Sequence, residues 1–134
     1  MVVMPAGAHQ DGLNRTQMNI HLFDKDQQAE TITAGTAVFR EGEAGDDMFA
    51  VLGGAVDLIV RGKTVETVEA GGVFGEMALV EDRPRAASAV VRSDARLVRI
   101  DRKRFMFLVQ QNPFFALQLM TLMAERLRRM NAAL

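Results

Sequence analysis

The chain has 134 residues, a length that predicts one domain with a core large enough to need no disulfide. It contains no cysteine, which excludes disulfides, thiol nucleophiles and cysteine-bound metals. Its net charge is −1, from 16 basic and 17 acidic residues, and this lacks the basic excess of a module that binds nucleic acid. No apolar run approaches the roughly 18 residues of a membrane span, and the first residues lack the basic region and long apolar core of a signal peptide, so we expect a cytoplasmic protein.

Residues 1–22 are polar and show no sustained period, which predicts a flexible arm or a poor helix ahead of a domain at 23–134. The only histidines, His9 and His21, lie in this arm, where we expect them to be exposed. Metal-dependent barrel enzymes usually need clustered histidines with a carboxylate. We therefore expect neither a metal site nor an enzyme.

Short β-prone runs separated by glycines follow, which predicts an all-β sandwich or barrel over about 30–101. Within the run 55–60, Val56, Leu58 and Val60 form an apolar face, and Arg61-Gly62 predicts a tight hairpin turn. The predicted strands are 30–34, 36–40, 47–52, 55–60, 63–68, 85–92 and 95–101.

Two helices are predicted after the strands. Asp101 is a good N-cap for a helix over 102–111, and Asn112-Pro113 ends that helix and starts another over 113–131. Apolar residues of the second helix cover an arc of roughly 220° at about 100° per residue, whereas a surface helix needs a stripe of only about 100°. A second subunit, a bound ligand or both could cover the remainder. Arg126 interrupts the arc, either for an ion pair with a partner or to reach water.

The segment 72–88 has the features of a phosphate cradle. Gly72 and Gly75 precede a short helix-capable run that contains Glu76, and Arg85 follows nine residues later near the start of a strand. Bare backbone N–H groups and a guanidinium suit an anion, while a carboxylate suits sugar hydroxyls. The alternatives are a surface ion pair of Arg85 with Glu81 or Asp82, and a helix-terminal charge at Glu76.

The sequence FGEMAL at 74–79, followed by PRAAS at 84–88, resembles the cyclic-nucleotide-binding domain, with support from EGEAGD at 41–46 and GAV at 54–56. That family includes regulatory subunits of cAMP-dependent protein kinase and bacterial catabolite-activator regulators. The resemblance covers about 23–131. It implies a mainly β fold: an eight-stranded antiparallel jelly-roll β-barrel with a short phosphate-binding helix and two C-terminal helices.

The resemblance also implies roles for individual residues. Glu76 would accept the ribose 2′-hydroxyl, Arg85 would pair with the cyclic phosphate, and backbone groups nearby would bind ribose or phosphate. We expect neighbouring Arg83 to be solvated. The implied ligand-binding residues are Phe74, Gly75, Glu76, Met77, Ala78, Arg85, Ala86 and Ala87.

The base would be adenine rather than guanine. Family members that prefer cGMP carry a hydroxyl next to the arginine, whereas Ala86 and Ala87 have none and only Ser88 offers one. The family often covers the base with a residue of the last helix, for which the candidates are Leu127, Met130 and Asn131. Asn131 could pair with the adenine edge or be a frayed terminal residue.

The resulting hypothesis is a stand-alone cAMP sensor without a helix-turn-helix. It would relay a movement at the joint formed by Phe105, Leu108, Phe114 and Phe115 to an unknown protein effector, or to a homodimer through helix 113–131. The alternative is a non-binding jelly-roll interaction module whose pocket is structural.

Overall fold

The computed structural model describes residues 28–132, apart from the side chain of Met130. The predicted arm at 1–22, with both histidines, lies outside the described residues. In chain order the elements are β1 (Glu30–Ile32), β2 (Ala37–Phe39), β3 (Asp47–Val60), β4 (Lys63–Glu69), β5 (Val73–Phe74), α1 (Met77–Val80), β6 (Ser88–Asp101), α2 (Arg102–Gln111) and α3 (Pro113–Ala132).

Two long strands organise the sheet. Strands β3 and β6 have 14 residues each and pair antiparallel along most of their length. Strands β1 and β2 pair with β6, and β4 and β5 pair with β3, so every pairing among the described strands is antiparallel. The predicted class, mainly β with C-terminal helices, is confirmed, and the arrangement is compatible with a jelly roll although the sheet is not closed.

The described residues form six strands rather than the eight expected. The runs 47–52 and 55–60 join in β3, because Gly53 and Gly54 change the register against β6 instead of turning the chain. Gly54 has a φ of +76°. The runs 85–92 and 95–101 likewise join in β6, which begins at Ser88 rather than at residue 85. Gly53 and Gly54 therefore mark an irregularity within β3 and not a boundary between two strands.

The predicted hairpin turn at Arg61-Gly62 is confirmed. Arg61 has a φ of 50° and Gly62 a φ of 79°, and two positive values are what a type I′ turn requires. The turn sets the register of β4 on β3, in which Leu58 lies opposite Glu66.

Both helices begin as predicted. The Asp101 side chain accepts a hydrogen bond from the Arg104 backbone N–H at 2.8 Å, and α2 has the predicted bounds. Asn112 Oδ1 accepts from the backbone N–H of Phe115 at 3.2 Å, and α3 ends one residue later than predicted. None of the helices among residues 28–132 combines the length and apolarity that a membrane span needs.

Helix α3 packs on its own domain with only part of its apolar arc. Phe115, Leu119 and Leu122 pack in one core with α2, the first residues of β3 and the last residues of β6. Further apolar side chains of this helix are exposed: Phe114, Leu117, Met120 and Leu127. The wide arc is thus explained in part by internal packing. The homodimer through this helix stays a prediction.

A second core supports the start of the predicted cradle. Phe39, Phe49 and Phe74 pack together, with ring centroids 5.2 to 6.1 Å apart. Phe74 is fully buried, so its packing fixes the position of the backbone just before Gly75 and Glu76.

Phe115→Ala should lower the free energy of unfolding by about 3–5 kcal/mol, because it empties a fully buried ring position against Phe105. Phe114→Ala is the matched control, since the neighbouring ring is 55% exposed and should contribute little. Urea unfolding monitored by circular dichroism measures both variants. Equal losses would contradict the assigned packing of α3.

Candidate functional site

The site is built around the connection from β5 to α1. Gly75 has a φ of +81°, and a Cβ there would lie 2.9 Å from Arg85 NH1 and 3.2 Å from the Phe39 ring. Only glycine fits both the left-handed backbone and the close approach. Glu76 follows as the N-cap of α1, a helix of four residues.

Arg85 lies inside the molecule, with only 6% of its surface exposed. Its NH1 donates to the Gly75 carbonyl at 2.9 Å, and its NH2 donates to the backbone carbonyl and to Oδ1 of Asp47 at 2.9 and 2.6 Å. The guanidinium also stacks over the Phe39 ring at 4.0 Å. The alternative of a surface ion pair with Glu81 or Asp82 is wrong, because half-buried Asp47 takes that place. Arg83 is the solvated one, with a side chain 80% exposed.

One donor of Arg85 has no partner among the described residues. Its Nε is buried and makes no hydrogen bond. An unpaired buried donor costs about 1–3 kcal/mol, and such groups are rare in folded proteins. An anion at this side of the guanidinium would satisfy it.

The backbone on both sides of Arg85 is held by the loop between β2 and β3. The Arg85 N–H donates to the Glu43 carbonyl, and the Arg85 carbonyl accepts from the Gly42 N–H, both at 2.8 Å. Gly45 lies against the guanidinium, because a Cβ there would be 2.4 Å from Nε. The EGEAGD run thus positions the arginine, which sequence reasoning treated only as a supporting resemblance.

Glu76 is buried, with 3% of its surface exposed, and it pairs with NH1 of Arg126 from α3. Nε and NH2 of Arg126 each donate to one oxygen of Glu66 at 3.0 Å, and NH2 also donates to the carbonyl of Val73. Arg129 NH1 lies 3.2 Å from the same Glu66. The sequence suggested that Arg126 pairs with a partner protein or extends into water. Instead its charge is neutralised by Glu66 and Glu76 of the same chain.

The charges in this cluster shift each other's ionisation. Burial raises the pKa of Glu76, the Arg126 guanidinium opposes the rise, and neighbouring Glu66 adds to it, so that the pKa stands above its ordinary value. Burial lowers the pKa of Arg126, but the two carboxylates outweigh it and the pKa is raised. Arg126 is therefore the group that most opposes the rise and favours the ionised form of Glu76.

The other predicted site residues lie at different depths. Phe74 and Ala78 are buried, Met77 is 42% exposed, Ala86 is exposed and Ala87 is half-buried. Leu127 is 60% exposed and Asn131 is exposed. The side chain of Met130 lies outside the described residues. Arg126, the neighbour of Leu127, contacts Glu76 directly.

Sequence reasoning missed the partners of the two charged residues, namely Phe39, Gly45 and Asp47 around Arg85, and Glu66 and Arg126 around Glu76. The interruption of the α3 arc by Arg126 was the one available signal. Among residues 28–132, no group of three or more histidine, cysteine, aspartate or glutamate side chains could hold a metal ion.

Arg126→Met should destabilise the fold by about 3–5 kcal/mol at neutral pH, because it leaves a buried carboxylate without its cation. The raised pKa of Glu76 should rise further. Stability linked to a raised carboxyl pKa is present below the unfolded-state pKa and is lost as pH rises through the folded-state pKa. The loss should therefore be smaller near about pH 5. Urea unfolding at both pH values and ¹³C titration of the Glu76 carboxyl measure this.

Arg83→Met is the control for that experiment, because it removes an arginine from an exposed ion pair with Glu81 and should change stability by under about 0.5 kcal/mol. A loss in Arg126→Met that is the same at both pH values would contradict the assigned role.

Comparison with known proteins gives a consistent result. The family model for the cyclic nucleotide-binding domain matches residues 29–112, more than half of the chain. The chain is 41% identical over 81 residues to Rap guanine nucleotide exchange factor 1 of Caenorhabditis elegans, a match that covers 60% of this chain and 8% of that protein. It is 36% identical over 88 residues to the cAMP-dependent protein kinase regulatory subunit of Mucor circinelloides f. lusitanicus, covering 60% and 21%.

Among solved structures, the chain is similar to the catabolite activator protein of Thermus thermophilus, with a TM-score of 0.71 and 31% identity, over 79% of this chain and 52% of that one. The chain thus spans a small part of the curated relatives and about half of that structure. The match to the family model includes every described strand and both Glu76 and Arg85. The chain therefore belongs to the cyclic-nucleotide-binding domain family.

Proposed function

We propose that the domain is a sensor that binds cAMP, with the cyclic phosphate at Arg85 and the ribose at Glu76. The observation that carries this proposal is the buried guanidinium of Arg85, whose Nε has no partner among the described residues. A cyclic phosphodiester carries one negative charge and two free oxygens, which a guanidinium can bind through charge-assisted hydrogen bonds.

The spacing of the two charged residues supports a ligand that contains both phosphate and sugar. Arg85 donates to the carbonyl of Gly75, the residue directly before Glu76. An anion on Arg85 is therefore next to a buried carboxylate, which would repel a second phosphate but accept hydrogen bonds from hydroxyls. Gly75, Met77, Ala78 and Ala86 would supply backbone groups to the same ligand.

Adenine is favoured over guanine by the residues that follow Arg85. Ala86 and Ala87 carry no hydroxyl, and the Ser88 hydroxyl already accepts a hydrogen bond from the Glu41 backbone N–H at 2.9 Å. The name of the Mucor relative, a cAMP-dependent kinase regulatory subunit, agrees with this preference.

The output would travel through α3. A ribose that binds Glu76 takes up acceptor capacity now used by Arg126, which changes how this arginine is shared with Glu66. The helix would then shift about the joint near Asn112, where Phe105 and Phe115 contact edge to face with centroids 6.4 Å apart. The exposed apolar side chains of α3 would pass the change to a protein effector or to a second copy. In this proposal the domain is regulatory, cytoplasmic and not an enzyme.

A second candidate is an interaction module that binds no nucleotide. It is favoured by one observation: Asp47 and Arg126 already neutralise Arg85 and Glu76. Titration calorimetry with cAMP and cGMP separates the two candidates. If millimolar cAMP produces no heat and no thermal shift, the result supports the interaction module and excludes the sensor.

Arg85→Ala should weaken cAMP binding by roughly 2–4 kcal/mol, because a charge-assisted contact is lost in a buried site. Calorimetry measures the loss, and Arg83→Ala, two residues away and solvated, should bind normally. The variants must first be shown to be folded by circular dichroism, since Arg85 also holds Asp47. Arg85→Lys keeps the charge and should recover only part of the affinity. Near-normal binding by Arg85→Ala would mean that the phosphate is bound elsewhere.

Glu76→Gln should weaken cAMP binding more than it weakens binding of 2′-deoxy-cAMP, because only the former offers the hydroxyl that Glu76 is proposed to accept. A difference of about tenfold or more is expected for a hydrogen bond to a charged group. Competition against a fluorescent cyclic nucleotide measures both affinities. The hydroxyl role is refuted if both ligands lose affinity equally.

A further inference from the structure

Glu66 is a second carboxylate beside the proposed ribose site, and most of its side chain is covered. It lies on β4, where Lys63, Thr64 and Val65 before it are exposed, while its own side chain is only 9% exposed. A charged side chain is rarely buried on a strand unless it is paired or used. Glu66 is paired with Arg126 and Arg129, both from α3.

The contacts place four charged groups in a series. Arg85 reaches the backbone of Gly75, Glu76 follows in the chain, and the guanidinium of Arg126 connects Glu76 to Glu66. In a nucleoside cyclic phosphate, the ribose lies between the phosphate and the base. A ligand with its phosphate on Arg85 and its ribose on Glu76 therefore carries its base toward Glu66 and α3.

The capacity of Glu66 to accept further hydrogen bonds is limited. A carboxylate offers about four acceptor positions. Oε1 accepts from Arg126 Nε at 3.0 Å and has Arg129 NH1 at 3.2 Å, while Oε2 accepts from Arg126 NH2 at 3.0 Å. Among the contacts of residues 28–132, one position on Oε2 is left, so Glu66 can take one more donor while it keeps Arg126.

We propose that Glu66 determines base specificity by accepting a hydrogen bond from the 6-amino group of adenine on Oε2. The proposal rests on the proposed function. Adenine presents an amino donor at this position, whereas guanine presents a carbonyl acceptor. A carbonyl facing Glu66 would set two acceptors against each other. The N1–H and 2-amino donors of guanine would need two acceptor positions on Glu66. They would therefore displace Arg126, and separating this ion pair away from water costs free energy.

The test compares three ligands: cAMP, the cyclic monophosphate of unsubstituted purine riboside, and cGMP. The second ligand differs from cAMP only in lacking the 6-amino group. Wild-type protein should bind cAMP about tenfold or more tightly than this analogue, as expected for a hydrogen bond to a charged acceptor. In Glu66→Met the ratio should fall to within about twofold, because methionine has a similar length but no oxygen acceptor.

Glu69→Met is the matched control, since Glu69 is an exposed acid on the same strand and the ratio should stay at the wild-type value. Glu66→Gln keeps an uncharged acceptor and should give an intermediate ratio. It replaces the methionine variant if the latter does not fold. Equal affinity of wild-type protein for cAMP and the analogue, tighter binding of cGMP, or a ratio unchanged in both Glu66 variants would overturn the inference while leaving nucleotide binding intact. Wild-type protein that binds none of the three ligands would instead overturn the proposed function, and the inference with it.

Discussion

One guanidinium, that of Arg126, neutralises two carboxylates from different parts of the chain, buried Glu76 and largely covered Glu66. Glu66 comes from the β4 strand and Glu76 from the start of α1, and the arginine itself comes from the last helix. Moving either carboxylate away from water without this cation would cost several kcal/mol. The position of α3 on the sheet and the ionisation of the site are therefore coupled through Arg126. A movement of α3 changes the charge environment of Glu76, and a change in the charge of Glu76 alters how α3 is held.

A second arginine is held in a comparable way at the other end of the site. Asp47 accepts from buried Arg85 through Oδ1 and from exposed Arg99 through Oδ2, at 2.6 and 2.9 Å. The Asp47 carboxylate thus joins the inside of the site to the outer surface of β6. Because Arg85 is also stacked on Phe39, the protein itself fixes the plane of its guanidinium. In the proposed function, such preorganisation would lower the entropy cost of binding.

Features set by neighbouring residues could be predicted from the sequence. The Asp101 cap gave the bounds of α2, and Arg61-Gly62 gave the hairpin, because both depend on backbone preferences a few residues long. The two glycines at 53 and 54 were misread, since a glycine pair fits a turn or a bulge equally well and only pairing with β6 decides between them.

The charged residues of the site were identified by their motif, but their partners were not. Arg85 meets Asp47, 38 residues away, and Arg126 meets Glu66, 60 residues away. Such pairs depend on how β3, β4 and α3 pack, which no local pattern contains. The resemblance predicted which side chains would face a ligand. The structure adds which protein groups hold them, and hence which further residues the site depends on.

The two backbone hydrogen bonds between Arg85 and the loop at 42–43 have a consequence for variation in this chain. These bonds fix the loop and the backbone of Arg85 to each other, although the two segments are some forty positions apart in the chain. A genetic screen for lost function should therefore collect changes at Gly42, whose φ is +90°, and at Gly45, where a Cβ would meet the guanidinium, together with changes at Arg85. Conversely, a damaged loop and a damaged arginine should not worsen each other's phenotype when combined, because both disable the same part.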